Sequence, residues 1–487
     1  MNHQDINTLG ELKATGYQSI SIKNELRNNL INKLKRQETV FTDIWGYEDS
    51  VIPELETAIL SKHNINLLGL RGQAKTRLAR LMITLLDEYI PIVKGSEVND
   101  DPLRPLSRYA KELIAEHKDD TPISWIHREE RFFEKLATPD VTVADLIGDV
   151  DPIKAMNLKL NYADDRVIHF GMIPRANRCI FVINEIPDLQ ARIQVSLFNI
   201  LQEGDIQIRG FKLRLPLDIQ FVFTANPEDY TNRGSIVTPL KDRIGSQILT
   251  HYPKSIEIAK KITAQEATYL QEQKNKIHVP ELARDIIEQL VFEARKSEYV
   301  DLKSGVSARM SISIFENLLS TAERRSLLNE ETNTSVRVLD FLGTISAITG
   351  KIELVYEGEQ EGADMVAQIL LNNAIKTIFN TLFPEIKKLK KEGEASPYDA
   401  ISSWFSSKDA VELLDDMDEN YFREQLDSIA PLTRLIKKYQ PEISEKDIPF
   451  MQEFILWALS EYKILNKERF NTGFQFNDPL ANYIRRI

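Results

Sequence analysis

The sequence has little of what would place it outside a reducing compartment or in a membrane. Its 487 residues include a single cysteine, Cys179, so no disulfide can form within the chain. No apolar run approaches the roughly 18 residues that are needed to span a bilayer. The N-terminal segment also has no apolar core of signal-peptide length. These absences lead us to expect a cytoplasmic protein without a membrane span.

Positive charge and glycine are also scarce. The chain has 61 Lys and Arg residues against 73 Asp and Glu residues, which gives a net charge of −12. An acidic chain is a poor candidate for extensive nucleic-acid binding, which needs clustered basic residues to neutralise phosphates. Only 19 residues are glycine, and none falls between Gly393 and Gly473, which favours helix over sheet in that part. The hydrophobic share of 42% still allows a sizeable core.

The pattern of apolar residues divides the chain into regions. Residues 1–40 are polar and carry apolar positions at helical spacing, which predicts a helical segment. Between residues 41 and 252, short β-rich apolar runs alternate with helical segments, as is typical of βα units around a parallel sheet. The charged, proline-containing stretch 95–135 is interpreted as a surface insertion. The clearest apolar runs are INLLG (65–69), CIFVIN (179–184), IQFVFTAN (219–226) and QILTHY (247–252).

Residues 205–216 alternate apolar and polar side chains around Gly210, which predicts a β-hairpin within the α/β region. The second half of the chain gives coarser signals. Residues 253–350 and 351–487 have mainly helical patterns, and the charged segment 387–399 indicates a boundary or loop within the second. We therefore predict an α/β domain, a helical domain and a mainly helical C-terminal region of unknown role.

A phosphate-binding loop is predicted where the first apolar run ends. The run INLL stops at Gly69, the loop LRGQA follows, and Lys75 and Thr76 then open a helix. A tight loop of this kind points backbone N–H groups at phosphate oxygens. Lys75 would reach the β- and γ-phosphates, and the Thr76 hydroxyl would ligate Mg²⁺. The helix is amphipathic, with apolar residues at Leu78, Leu81, Met82, Leu85 and Leu86.

The loop departs from the pattern G-x-x-x-x-G-K-[ST] at one position. Ala74 stands where the second glycine is expected, and its Cβ resists positive φ angles. The loop must tolerate this, with help from Gly72. A turn before a surface helix is the alternative interpretation of the segment. The residues predicted to contact nucleotide are Gly69, Arg71, Gly72, Gln73, Ala74, Lys75, Thr76 and Arg77, together with Asn184.

Asn184 and Glu185 follow the second apolar run. A Walker B strand ends in a carboxylate that holds the Mg²⁺ shell, and a glutamate that polarises the attacking water comes next. Glu185 takes the second place, whereas Asn184 stands where the carboxylate is expected and brings an acceptor without charge. Metal binding is therefore predicted to rest on Thr76, Asn184 and the nucleotide phosphates. A core strand capped by Asn184 is the alternative.

A third strand, in IQFVFTANPEDY, ends at Asn226. Its amide can orient the attacking water or touch the γ-phosphate, and ligands collect where the strands of an α/β sheet end. Asn-Pro is also a common turn. Arg243 and Arg309 complete the catalytic candidates with Glu185 and Asn226, because a guanidinium can bind phosphate oxygens in the transition state. Each arginine taken alone also fits a surface salt bridge.

Together these segments resemble the AAA+ family of P-loop ATPases, in the branch of magnesium-chelatase ATPase subunits and MoxR-type ATPases. The resemblance covers about residues 44–315, and its segments occur in the family's order and spacing. The segments are IWGYEDSV (44–51) near the adenine pocket, GLRGQAKT (69–76), ADLIGDVDPIKAM (144–156), HFGMIPRANRCIFVINE (169–185), the hairpin 205–216, TANPED (224–229), PLKDRIG (239–245) and SGVSARM (304–310).

The resemblance implies an AAA+ core with a helical lid domain, with ATP and Mg²⁺ as ligands. It implies that Asn226 is sensor 1 and that Arg309 is sensor 2. Arg243 would be the finger that reaches the γ-phosphate of a neighbouring subunit, with Arg233 as a competing candidate. The segment 148–170 would be a helix-2 insertion facing a ring pore or a partner. Such an ATPase would form a homo-oligomeric ring, expected to be a hexamer, and act on a separate protein with a von Willebrand-type domain.

Three other functions stay open. The helical tail and the altered ATP site weigh against a magnesium chelatase motor subunit. A transcription activator acting on an alternative sigma factor would carry a Gly-Ala-Phe-Thr-Gly-Ala loop, and the stretch YADDRVIHFGMIP has none. A nucleotide-binding switch with weak hydrolysis is favoured by Asn184, whereas Glu185 with Asn226 and Arg243 favours hydrolysis.

Overall fold

The computed structural model describes residues 5–160, 165–208, 214–227, 235–386, 396–407, 410–470 and 473–479. The chain divides into two compact units, Met1–His251 and Tyr252–Ile487. Each unit is described by itself below.

The first unit contains a central parallel sheet and several two-stranded antiparallel pairs. Its strands are β1 (Ile65–Leu68), β2 (Tyr89–Val93), β3 (Ile123–His127), β4 (Phe132–Leu136), β5 (Gly148–Val150), β6 (Ile168–Phe170), β7 (Cys179–Asn184), β8 (Asp205–Gln207), β9 (Arg214–Pro216), β10 (Ile219–Ala225) and β11 (Ser246–Leu249). The central sheet has the order β11-β1-β10-β7-β4, so β1 lies between β11 and β10, and β7 lies between β10 and β4.

Helices connect these strands. The α-helices of the first unit are Leu9–Ala14, Ile22–Lys35, Val51–Leu60, Lys75–Leu81, Arg108–His117, Val143–Leu146, Pro152–Leu158, Met172–Arg175, Ala191–Ser196, Phe198–Glu203 and Thr238–Arg243. Short 3-10 helices lie at Met82–Leu85, Lys118–Asp120, Arg128–Arg131, Asp165–Val167 and Ile186–Asp188.

Alternate side chains of the central strands enter two hydrophobic cores, one for each face of the sheet. Phe181, Phe221 and Phe223 belong to one core, where neighbouring ring centroids are 5.9 Å apart. Val182 and Val222 belong to the other. Burial on both faces explains why these strands are continuous apolar runs in the sequence. The four runs predicted as strands are confirmed as β1, β7, β10 and β11, with small differences at their ends.

The interpretation of residues 95–135 as a surface insertion is wrong in its last part. Phe132–Leu136 forms β4, the edge strand of the central sheet, with Leu136 opposite Asn184 of β7. The stretch before it also contributes β3, which pairs with β2. An edge strand has a neighbour on one side and is only half-buried, so FFEKL contains two charged residues and no apolar run.

Two predicted inserts appear as antiparallel pairs. Within the segment 148–170, β5 pairs with β6, and the helix Pro152–Leu158 lies between them in the chain. The hairpin predicted at 205–216 is confirmed by the pairing of β8 with β9, in which Ile206 lies opposite Leu215. Its predicted turn at Gly210 lies outside the described residues.

A buried ion pair joins the helical segment predicted for residues 1–40 to Arg131, the residue directly before β4. The helix Ile22–Lys35 buries Leu26 and Leu30 in one of the two cores. On the same helix, Glu25 accepts two hydrogen bonds of 2.7 Å from the guanidinium of Arg131. Both side chains are almost completely buried.

Burial also raises the pKa of the nearby Cys179 thiol to about 12, which keeps it protonated.

The second unit is mainly helical, as predicted. Its α-helices are Ile256–Glu266, Gln271–Lys276, Glu281–Ala294, Arg309–Leu328, Ile345–Thr349, Tyr356–Glu361, Ala363–Leu382, Asp399–Ser407, Glu419–Asp427, Ala430–Tyr439 and Ile448–Glu461, with a 3-10 helix at Leu339–Thr344. None of the helices in the described part of the chain is long and apolar enough to cross a membrane.

The second unit also contains strands, and two of those described lie within the glycine-free stretch 394–472, where we predicted helix rather than sheet. β12 (Ile277–His278) and β13 (Thr334–Ser335) form a short parallel pair. β14 (Val411–Leu414), β15 (Asn466–Phe470) and β16 (Gly473–Asn477) form an antiparallel sheet in the order β14-β16-β15.

One cluster of buried hydrophobic residues in the second unit runs from Ile277 to Phe476. The predicted regions 253–350 and 351–487 therefore share a core, and their division at residue 350 stays a prediction. Most of the predicted boundary segment 387–399 lies outside the described residues, since 387–395 are not described.

Candidate functional site

The predicted phosphate loop begins where β1 ends beside β10. The amide of Gly69 donates a hydrogen bond of 3.1 Å to the carbonyl of Ala225, which aligns the ends of the two strands. A Cβ at Gly69 would collide with the side chains of Thr250 and Gln73. These two side chains are themselves joined by a hydrogen bond of 2.7 Å from the Thr250 hydroxyl to the Gln73 amide oxygen. A larger residue at position 69 would therefore have to displace these side chains and break the hydrogen bond between them.

The loop backbone is left-handed at two positions. Gly72 has φ 71° and Ala74 has φ 54° with ψ 19°. Glycine adopts such angles freely, whereas alanine has a Cβ that approaches the following carbonyl, at a cost of about 1–2 kcal/mol. Ala74 thus takes the conformation of the expected glycine and carries the strain.

Lys75 turns back onto the loop and across to the neighbouring strand. Its ammonium group donates hydrogen bonds to the carbonyl oxygens of Gly69 and Leu70, the latter at 2.9 Å. It also donates one of 2.8 Å to Oδ1 of Asn226, directly after β10. The structure therefore brings together Lys75 and Asn226, two residues that sequence analysis selected independently.

A second group of contacts joins Thr76 to the end of β7. Oδ1 of Asn184 accepts hydrogen bonds from the hydroxyls of Thr76 at 3.4 Å and Thr224 at 3.1 Å. Thr224 Oγ1 in turn accepts the backbone N–H of Glu185 at 3.1 Å. Glu185 has φ 56° and ψ 48°, so the predicted base sits on a left-handed backbone. Thr224 was not selected by sequence analysis, because a threonine inside a strand gives no local signal.

Glu134 is a further residue that sequence analysis missed. The side-chain amide of Asn184 donates a hydrogen bond of 2.6 Å to Oε1 of Glu134, on the neighbouring strand β4. The other oxygen, Oε2, pairs with Arg80 at 2.8 Å. Because Glu134 lies in a half-exposed edge strand 50 positions before Asn184, only the pairing of β4 with β7 could have found it.

The segment 44–51, predicted to lie near the adenine pocket, contacts the loop from the other side. The Tyr47 hydroxyl lies 3.0 Å from the carbonyl oxygen of Gln73 and 2.8 Å from that of His251. The Ser50 hydroxyl lies 2.9 Å from Nε2 of His251. These bonds fix the segment against the phosphate loop and the residue after Thr250.

The predicted arginines lie in different places. Arg243 ends the helix Thr238–Arg243, donates to Oε1 of Gln202 at 3.0 and 2.6 Å, and lies 5.2 Å from the ring centroid of Phe198. Arg309 begins a helix of the second unit with an exposed side chain. Arg233 lies outside the described residues. Within the loop region Arg71 is exposed and Arg77 is half-buried.

Oxygen donors at this edge of the sheet fit a hard divalent cation. Thr76 offers a hydroxyl and Asn184 an amide oxygen, and the carboxylate of Glu134 lies directly behind that amide. Mg²⁺ in nucleotide sites takes one or two protein oxygens and completes its shell with phosphates and water. In the described part of the chain, His, Cys, Asp and Glu form no group of three or more that could hold a metal.

One family model matches part of the first unit. The family model described as the AAA domain of the dynein-related subfamily matches residues 121–244. The matched stretch contains β4, β7, β10 and Arg243, and it begins after the phosphate loop. No curated protein matches the chain.

Similar solved structures are distant. A predicted ATPase from Cytophaga hutchinsonii has 17% identity and a TM-score of 0.29, with 74% of this chain and 97% of that chain covered. The BchI–BchD complex of magnesium chelatase gives 20% identity and a TM-score of 0.36, with 66% and 98% covered. NtrX from Brucella abortus in complex with ATP gives 13% identity and a TM-score of 0.33, with 60% and 52% covered. Likenesses at these TM-scores do not assign a function.

The fold and the family match lead to one identification. In chain order, the central sheet places its strands fifth, first, fourth, third and second. The predicted phosphate loop follows the first strand, and Asn184 and Asn226 stand at the ends of the third and fourth. The chain therefore has the fold of an AAA+ P-loop NTPase, and residues 121–244 of its first unit match the AAA domain model.

Proposed function

We propose that this chain is an ATP-driven motor that binds Mg-ATP through Lys75 and Thr76 and hydrolyses it with Glu185. The observation that carries the proposal is the convergence of Lys75, Asn226, Asn184 and Thr76 at one edge of the sheet through direct hydrogen bonds. In an open α/β sheet, ligands bind at the carboxyl ends of the strands.

Each residue has a distinct task in this proposal. The Lys75 ammonium neutralises the β- and γ-phosphates, for which it exchanges its bond to Asn226. Asn226 then orients the attacking water or contacts the γ-phosphate. Glu185 takes the proton from that water. A bound Mg²⁺ would supply Lewis-acid stabilisation of phosphate charge, with Thr76 and Asn184 as its protein contacts.

Arg243 is proposed to act on a neighbouring subunit. Its side-chain partners among the described residues are Gln202, Pro239 and Phe198, none of which belongs to the phosphate loop. An arginine that does not contact its own subunit's phosphate loop suits a finger supplied in trans. The active form is then a homo-oligomeric ring, proposed to be a hexamer. Arg309 is proposed as sensor 2, from the resemblance alone.

A protein partner is proposed because apolar side chains are exposed on the helix Pro152–Leu158. Ile153 is 70% exposed and Met156 is 76% exposed, three positions apart on the same helix. Neighbouring apolar side chains that face water mark surfaces that contact other proteins. The partner is proposed to be a separate chain in the cytoplasm, with a von Willebrand-type domain as the resemblance implies, and ATP turnover would remodel or activate it.

A nucleotide-binding switch with weak hydrolysis is the second candidate, and Asn184 favours it. The two candidates differ in how activity depends on assembly. A motor with shared sites gains ATPase activity per subunit as protein concentration rises, while a switch turns over slowly at every concentration.

The test measures ATPase activity per subunit across a dilution series, with particle mass determined by mass photometry in the presence of ATP. The proposal predicts that activity and ring mass rise together. A monomeric protein with flat, slow turnover would support the switch. Glu185→Gln protein should retain ATP and the ring, and it is the form in which a partner should co-purify.

A further inference from the structure

The carboxylate that is missing at position 184 has a counterpart on the neighbouring strand. β4 and β7 run parallel with Leu136 opposite Asn184, so Glu134 lies two residues earlier and on the same face of the sheet as Leu136. Its Oε1 lies 2.6 Å from the amide nitrogen of Asn184. An acidic group is thus present at the edge of the sheet, on the strand next to the one that would carry a Walker B carboxylate.

The hydrogen bonds of Asn184 fix the direction of its amide. A carboxylate only accepts hydrogen bonds, so the atom facing Glu134 must be the NH₂ group. The opposite orientation would place two acceptor oxygens 2.6 Å apart. The amide oxygen consequently faces the hydroxyls of Thr76 and Thr224. Glu134 therefore determines that an oxygen, and not a nitrogen, points at the predicted metal ligand Thr76.

Glu134 is itself held in place from the helix that carries Thr76. Arg80 binds Oε2 of Glu134 at 2.8 Å. Thr76 and Arg80 are four residues apart and so share one face of the helix Lys75–Leu81. The guanidinium also lies 5.6 Å from the ring centroid of Phe132, at the start of β4. A chain of contacts thus runs from Thr76 through Asn184 and Glu134 to Arg80 and back to the same helix.

We propose that Glu134 is a positioning residue of the magnesium site, which takes over the role of the Walker B carboxylate by acting through Asn184. It supplies the negative charge that the amide lacks and keeps the amide oxygen turned toward the cation. The polarised amide is a better ligand for a hard cation than an amide hydrogen-bonded to water. This inference rests on the proposed function, because it requires that Mg-ATP binds beside Thr76.

The test compares the affinity for ATPγS with and without Mg²⁺, measured by calorimetry on the full chain. Glu134→Gln should leave the affinity in EDTA unchanged and reduce the affinity in Mg²⁺ about tenfold, as expected for the loss of one charged partner near a bound cation. Mn²⁺ binding to the protein–ATPγS complex, followed by electron paramagnetic resonance, should weaken in parallel. Glu129→Gln, which removes an exposed carboxylate from the same segment, should change neither measurement.

A second variant, in which the charge is moved from position 134 to position 184, separates a loss of Mg²⁺ binding from a loss of folding. In the double variant Glu134→Gln with Asn184→Asp, the amide and the carboxylate trade places, and the hydrogen bond between them is kept with its direction reversed. Mg²⁺ affinity should return toward the wild-type value. If Glu134→Gln binds Mg-ATPγS as tightly as wild type, or if the double variant stays as weak as Glu134→Gln, the role of Glu134 is refuted. If wild-type protein binds no ATPγS under either condition, the proposed function itself fails.

Discussion

The ammonium group of Lys75 donates a hydrogen bond of 2.8 Å to the side-chain oxygen of Asn226, 151 positions later in the chain. The bond joins the phosphate loop after β1 to the end of β10. It shows that the positive charge of Lys75 sits at the edge of the sheet where β7 and β10 also end.

Lys75→Ala should weaken ATP binding at least tenfold, or by about 1.4 kcal/mol, because it removes the charge that neutralises phosphate. Calorimetry would measure the affinity. Lys35→Ala, which removes an exposed lysine from the helix Ile22–Lys35, is the control and should bind ATP normally. Equal affinity in wild type and Lys75→Ala would show that the loop does not hold phosphate.

Ala74→Gly should stabilise the first unit by about 0.5–1 kcal/mol. The substitution relieves the left-handed strain at φ 54°, which outweighs the extra freedom that glycine gives the unfolded chain. Ala115→Gly, at an exposed position of the helix Arg108–His117, should destabilise by a similar amount, because glycine weakens a helix interior. Urea unfolding of both variants would check the sign, and a loss of stability in both would contradict the strained loop.

Two ion pairs of equal length should contribute very differently to the free energy of unfolding. Glu25 and Arg131 are 2.7 Å apart and buried, whereas Lys13 and Asp119 are also 2.7 Å apart but more than half exposed. Glu25→Ala leaves a guanidinium buried without its carboxylate and should cost about 3–5 kcal/mol. Asp119→Ala should cost less than about 1 kcal/mol. If urea titrations gave equal losses of stability for Glu25→Ala and Asp119→Ala, burial would not be what makes the first ion pair important.

The buried carboxyl group of Glu453 should make the stability of the second unit depend on pH. Burial raises the pKa of this carboxyl from 4.5 to about 8, and the backbone N–H groups of Val338 and Leu339 that bind it offset only part of the effect. Between pH 4.5 and about pH 8, Glu453 is protonated in the folded state and ionised in the unfolded state, so the folded state binds one more proton. Stability should therefore fall as pH rises through this window, because the folded state has more protons to lose.

Glu453→Gln removes this titration. Relative to wild type, the variant should gain stability steadily from about pH 5 to pH 8 in denaturation experiments at fixed ionic strength. Glu445→Gln, at an exposed position, is the control and should follow the wild-type curve. A difference between Glu453→Gln and wild type that stays constant with pH would contradict the raised pKa.

The parts of the fold that the sequence predicted are those buried on both faces. β1, β7 and β10 have a neighbouring strand on each side and a hydrophobic core on each face, so most of their residues are apolar. The polar residues Asn184, which ends β7, and Asn226, which follows β10, stand out against these apolar runs. β4 and β15 are edge strands, and their sequences FFEKL and NKERF carry charged residues at positions that are partly buried or exposed. No local pattern separates such strands from loops, and their pairing is decided by contacts distant in the chain.

The same reason explains which residues of the candidate site the sequence could indicate. Lys75, Thr76, Asn184 and Asn226 follow apolar runs at recognisable spacing. Glu134 is part of the site only because β4 lies beside β7, and Thr224 only because its hydroxyl faces Asn184. From the sequence alone, Asn184→Asp would be expected to repair the magnesium site. The structure places the new carboxylate against Glu134, so the exchange of both residues is the appropriate change.

The central claim is that one active site is built from two subunits, with Lys75, Thr76 and Glu185 on one and Arg243 on the next. Arg243→Ala and Glu185→Gln proteins should each be nearly inactive, because one lacks the finger and the other lacks the base. Sizing in the presence of ATP should show that both still assemble.

Mixing these two variants is the most direct measurement. Some interfaces then pair an intact Glu185 with an intact Arg243, so the mixture should recover part of the ATPase activity that neither variant has alone. A mixture of Lys75→Ala with Glu185→Gln is the control and should stay inactive, because every site lacks one of its own residues. If Arg243→Ala retains full turnover by itself, or if its assembled mixture with Glu185→Gln recovers nothing, Arg243 is not a finger shared between subunits.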